Sequence, residues 1–92
     1  MKIRIRYTTQ LRMALGIDTE EVDLPEASTL LDLLRQLRQQ HPDALSQYAL
    51  NAQDALQPSV LLCVGDQHVG DDLLKPLHDG EEVTILSVIS GG

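Results

Sequence analysis

The sequence predicts an α+β domain of two layers, a mixed sheet of four to five strands packed on one main helix. Three observations predict it. Residues 2–8 and 19–24 alternate between polar and apolar side chains, residues 29–40 carry a leucine stripe at helical spacing, and 60–64 and 82–89 are apolar runs of strand length. Ninety-two residues hold one modest core and no second one, so 1–92 is read as a single domain.

In the first run Lys2, Arg4 and Arg6 fall on one side and Ile3, Ile5 and Tyr7 on the other, the period of a half-buried strand. Gln10 to Leu15 places Leu11, Ala14 and Leu15 at helical spacing before Gly16, enough for one or two turns. In the second run Val22 and Leu24 face inward, while Glu21 and Asp23 face outward. Two such runs this close form an antiparallel pair. Lys2, Arg4 and Arg6 then lie near Glu21 and Asp23 across the ladder, where opposite charges contribute ~0.2–1 kcal/mol each. That accounts for these cations without a phosphate-binding patch.

Thr29 is placed to cap the main helix, with Asp32 three residues on as a partial capping box; Leu30, Leu33, Leu34 and Leu37 form its apolar stripe. Pro42 marks its exit. Residues 43–58 give little signal beyond partly buried Tyr48 and Leu50 and a loop at 51–54. Val60 to Val64 is a strand closed by the turn Gly65-Asp66, with a short strand near 67–69. Residues 71–77 read as a loop or one turn of helix, Asp79-Gly80 as a turn, and Glu82 to Ile89 as the last strand.

Hairpin, helix and further strands in this order favour the β-grasp (ubiquitin-like) arrangement, with the first and last strands parallel and adjacent at the sheet centre. The last strand is apolar on both faces, and so is 60–64. One helix covers only one face. Some of Leu61, Cys63, Leu86 and Val88 should therefore stay exposed as a docking surface, continued by Ile89 and Ser90; the alternative is that 43–58 folds over that face.

Composition narrows the function classes. The formal charge of −7, from 14 acidic and 7 basic residues, disfavours general nucleic-acid binding and suits docking on basic partners. No apolar run reaches the ~20 residues of a membrane span, and Met1-Lys2-Ile3-Arg4 does not begin a signal peptide. The single cysteine, Cys63, leaves no internal disulfide and cannot hold an iron–sulfur cluster; it reads as a packed thiol in a cytoplasmic protein. His41, His68 and His78 lack metal-ligand spacing, and no nucleophile–base pair or catalytic carboxylate pair is visible.

The C-terminal Gly91-Gly92 has a physical use. Without Cβ atoms it is a thin, flexible tail able to thread a channel and present a carboxylate to another protein. Together with Pro76-Leu77-His78-Asp79-Gly80-Glu81-Glu82-Val83, and Gln10 to Gly16 after the first strand, this ending resembles the MoaD/ThiS family of ubiquitin-like sulfur carriers, the molybdopterin synthase small subunit among them. The family often carries proline before the tail, where this chain has Ser87-Val88-Ile89-Ser90. The resemblance implies a carrier rather than an enzyme, with no cofactor of its own. An activating partner would use ATP to adenylate Gly92, sulfur would replace AMP to give a thiocarboxylate, and a client synthase would take the sulfur for molybdopterin, thiazole or a sulfur amino acid. The alternatives are a ubiquitin-like modifier conjugated through Gly92, and a non-catalytic interaction domain.

Overall fold

Alternation in Lys2–Tyr7 becomes strand β1, whose Ile3, Ile5 and Tyr7 are buried while Lys2, Arg4 and Arg6 are exposed. A computed structural model describes residues 1–70 and 72–87, and its elements follow in the order α1 (Thr9–Leu15), β2 (Thr19–Asp23), α2 (Leu30–Gln40), α3 (Pro42–Tyr48), β3 (Val60–Val64), β4 (Gln67–His68) and β5 (Glu82–Ser87). The five strands form one sheet ordered β2-β1-β5-β3-β4. β1 pairs antiparallel with β2 and parallel with β5, as expected from the order of elements.

The turn at Asp79-Gly80 sets the register of the two central strands. Asp79 Oδ1 accepts from the Lys2 N–H at 2.7 Å, the Gly80 N–H donates to the Lys2 carbonyl at 2.8 Å, and the Arg4 N–H donates to the Glu81 carbonyl at 3.0 Å. Gly80 has φ +86°, where a Cβ would be strained. From this anchor Arg4 lies beside Glu82, and Ile5 beside Val83.

The leucine stripe of α2 is fully buried against the sheet. Its capping box is complete: the Thr29 N–H donates to Asp32 Oδ2 at 2.9 Å, and the Asp32 N–H donates to Thr29 Oγ1 at 3.3 Å. The next orphan donors are also used, since the Leu30 and Leu31 N–H groups donate to the carbonyls of Lys75 and Leu73. The 72–77 loop is thereby fastened to the helix start.

One element differs from expectation. Pro42 does end α2, but it also occupies the first turn of α3, with His41 serving both helix ends. Leu45, Ala49 and Leu50 join the core, so Leu50 is fully buried rather than partly. Segment 43–58 thus packs on the helical side of the sheet. Arg35 Nε at 3.0 Å and Arg38 at 2.9 Å hold Asp54, clipping the loop after α3 to α2.

Candidate functional site: the uncovered sheet face at the end of β5

Pairing of β3 with β5 fixes what the uncovered face presents. Leu62 and Val64 turn into the core with Val83 and Ile85, so Leu61 and Cys63 turn the other way, opposite Leu86 and Thr84 respectively. Leu61 is 39% exposed, and Cys63 and Leu86 are half-buried. With 43–58 on the other side, no helix among the described residues covers this face. Among the described residues expected on this face, Leu61 is the exposed one, and Cys63 and Leu86 are more sheltered than the sequence suggested. Val88, Ile89, Ser90, Gly91 and Gly92 lie outside the described residues.

The two halves of the face differ in chemistry. The β5–β3 half offers Leu61, Leu86, Thr84 and Cys63, with His68 opposite Cys63 across the short hairpin. The β1–β2 half is charged. Lys2 faces Asp23 and Arg4 faces Glu21 in register, as expected, yet among the described residues the ion pair on this face joins Arg6 of β1 to Glu82 of β5 at 3.4 Å. Lys2, Arg4, Glu21 and Glu82 surround a shallow cleft of about 280 Å³ beside Gly80.

The base of the tail is held firmly. Ile85 is buried between β1 and β3 neighbours, and Thr8 Oγ1 donates to its carbonyl at 2.9 Å. Ser87 ends the strand opposite Val60. The described part of β5 therefore ends beside the Leu61–Leu86 pair.

Sequence reasoning missed one polar cluster. The buried Tyr7 phenol donates to Glu20 Oε2 at 2.7 Å, and His41 Nε2 lies 3.0 Å from the same oxygen. Burial first, then the bond to Glu20 and its negative charge, push the Tyr7 phenol well above its ordinary value. The signal was present: Glu20 shares the parity of Val22 and Leu24, an acid at an inward position. No group of three or more His, Cys, Asp or Glu among the described residues could hold a metal, and none of their helices is long and apolar enough to cross a membrane.

Residues 5–92 match the sequence profile of the ThiS family. A relative, the molybdopterin synthase sulfur carrier subunit of Chlamydomonas reinhardtii, is 26% identical over 92 residues spanning all of both chains. Among solved structures, SAMP1 from Haloferax volcanii superposes with a TM-score of 0.87 at 22% identity, covering 100% of each chain. A chain in the complex of subunits 1 and 2 of molybdopterin-converting factor from Helicobacter pylori gives a TM-score of 0.65 at 20% identity, again covering 100% of each chain. These two structural likenesses establish the β-grasp fold.

Proposed function

Because the chain belongs to the ThiS family of ubiquitin-like sulfur carriers, we propose that Gly92 is the group on which its chemistry takes place and that partner proteins perform that chemistry. The observation that carries this reading is the placement of the tail base. Central strand β5 delivers the chain to the edge of an uncovered apolar patch, and the five residues from Val88 to Gly92 follow it. At 3.3–3.6 Å per residue, that length can reach at most about 18 Å beyond Ser87. A partner seated on Leu61, Cys63 and Leu86, with Val88, Ile89 and Ser90 continuing the contact, would take the tail into its own active site.

A carboxylate is a poor acyl donor, so activation comes first. The Gly92 carboxylate attacks the α-phosphorus of ATP in an adenylating enzyme and pyrophosphate leaves. A sulfide-equivalent nucleophile then displaces AMP from the acyl-adenylate, leaving the thiocarboxylate. A client synthase accepts the sulfur, and water or the acceptor oxygen restores the carboxylate. The chain's own contribution is position: Gly91 and Gly92 offer no side chain to obstruct a narrow channel, and the sheet face supplies orientation. It needs no bound cofactor for this role.

The test is intact mass after incubation with the adenylating enzyme, ATP and a sulfur donor. The expected product gains the mass difference between one sulfur and one oxygen, and the gain disappears when Gly92 is deleted. Adducts to lysines of other proteins, with no sulfur-for-oxygen product, would replace the carrier reading with that of a protein modifier.

A further inference from the structure

The sheet has a second unpartnered feature on the side away from the apolar patch. Strand β2 is an edge, and its five residues follow one another without a bulge against β1. Hydrogen bonds at the two ends of the ladder fix its parity. Met1 and Leu24 exchange bonds at 2.7 and 2.9 Å, and the Tyr7 N–H donates to the Asp18 carbonyl at 2.8 Å. The hydrogen-bonded pairs are therefore Met1–Leu24, Ile3–Val22, Ile5–Glu20 and Tyr7–Asp18. Thr19, Glu21 and Asp23 must aim their N–H and C=O groups outward. Of these groups, only the Asp23 carbonyl has a contact among the described residues, a long 3.5 Å bond from Gln36 Nε2.

The side chains of the same residues give that edge a sign. Glu21 and Asp23 stand on the uncovered face, exposed and without an ion pair among the described residues, although Arg4 and Lys2 are their register partners. At the end of β2 a cleft of about 380 Å³ opens between the strand exit and α2, lined by Leu24, Glu26, Asp32 and Gln36. Glu26 is 84% exposed there, and its nearest cation is the terminal ammonium at 3.9 Å.

We infer that β2 is a docking edge for an extended basic segment of a partner protein, which adds to the sheet as a sixth strand. Its backbone would pair with Thr19, Glu21 and Asp23, and its alternate Lys or Arg side chains would lie beside Glu21 and Asp23. Charge rows would then alternate across the face: basic β1, acidic β2, basic guest. A second copy of this chain is the poorer occupant. Antiparallel pairing of two β2 edges centred on Glu21 sets that carboxylate against its own copy, and like charges directly opposite are destabilising. This edge lies three strands from β3, so a partner on Leu61 leaves it open. The inference does not depend on the chemistry of Gly92.

The probe is a synthetic peptide alternating Lys and Val, roughly six residues long, the ordinary length of a strand. Titrated into the ¹⁵N-labelled protein, it should shift the Thr19, Glu21 and Asp23 amides and slow their hydrogen exchange. The double substitution Glu21→Gln with Asp23→Asn, which changes charge without shape, should weaken binding about tenfold. A peptide N-methylated on its pairing edge should lose the exchange protection. Equal binding by the N-methylated peptide, shifts centred on Leu61 and Leu86, or no binding at millimolar peptide would each overturn the proposal. So would concentration-dependent protection of the three amides in the absence of peptide, which would make the occupant a second copy.

Discussion

Tyr7 places a phenol in an otherwise aliphatic core, and Glu20 is the residue that makes this tolerable. The hydroxyl bonds outward to a half-buried carboxylate, which His41 also approaches. Tyr7→Phe removes that bond while leaving the ring, so it should cost about 1–2 kcal/mol, with Glu20 keeping its histidine neighbour. The pH dependence gives a second reading. Because the folded phenol titrates above its ordinary value of 10.0, the unfolded chain loses its proton first. Stability is full below pH 10.0 and declines as pH rises beyond it. Denaturant titrations above that point should show the decline in the wild type and a shallower one in Tyr7→Phe. Equal slopes would mean that the folded phenol titrates no higher than the unfolded one, against its burial and its bond to Glu20. At Leu61 the residue scale meets function: with 39% exposure, Leu61→Asp should change stability by only about 0.5 kcal/mol. Binding to the proposed adenylating partner should fall at least about tenfold, the value of one well-buried interfacial side chain. Leu86→Asp is the less clean probe, because the half-buried Leu86 shares its contacts with the strand neighbours. If Leu61→Asp bound normally, the patch would not be the docking surface.

Among the elements, those with strong periodicity were legible and those made by tertiary contact were not. The stripe Leu30, Leu33, Leu34, Leu37 and the Thr29–Asp32 box announced α2 to within a residue, since cap and stripe are local chemistry. The β1–β2 pairing was legible for the same reason, as period-two alternation forces one register once one face is buried. Helix α3 was hidden because proline is both a helix terminator and a favoured first-turn residue, and seven residues carry too little periodicity to decide between them. The uncovered apolar side chains were foreseen from a mismatch, two apolar faces and one helix layer, whereas the Tyr7–Glu20–His41 cluster joins residues 13 and 21 apart and the fold brings them together. The loop after α3 offers a test of tertiary control. Bonds from Arg35 and then Arg38 hold the Asp54 carboxyl below its ordinary value of 3.8, in a loop position with φ +61°. A depressed carboxyl contributes stability above pH 3.8 that is lost as pH falls through its lower folded value. Asp54→Asn keeps the left-handed conformation, which asparagine accepts, and removes only the charge. Hydrogen exchange at 51–57 should accelerate in the variant near neutral pH, and the difference from wild type should vanish in strong acid. An unchanged exchange rate would show that Leu50 and Leu56 hold the loop without the clip.

At the scale of the whole molecule, the described core ends before the residues proposed to carry the chemistry. Among the described residues, every member of the buried core lies between Ile3 and Ile85, and β5, the last strand, runs to Ser87. The central position of β5 uses hydrogen bonds on both edges, so the strand is fixed whether or not anything follows it. Deleting Gly91 and Gly92 should therefore shift stability by less than about 0.5 kcal/mol, roughly 2–4 °C in Tm for a domain of this size. Ile85→Ala, six residues before that deletion, should cost about 2–5 kcal/mol through the cavity it leaves. Thermal melts of the two variants beside the wild type measure this division directly. The truncated protein should also still compete with the full chain for the proposed adenylating partner, because the sheet face around Leu61 is intact, while giving no sulfur-bearing product. A truncated chain that melted as early as Ile85→Ala would mean that the terminal glycines pack against the domain, and their availability to a partner's active site would then require local unfolding first.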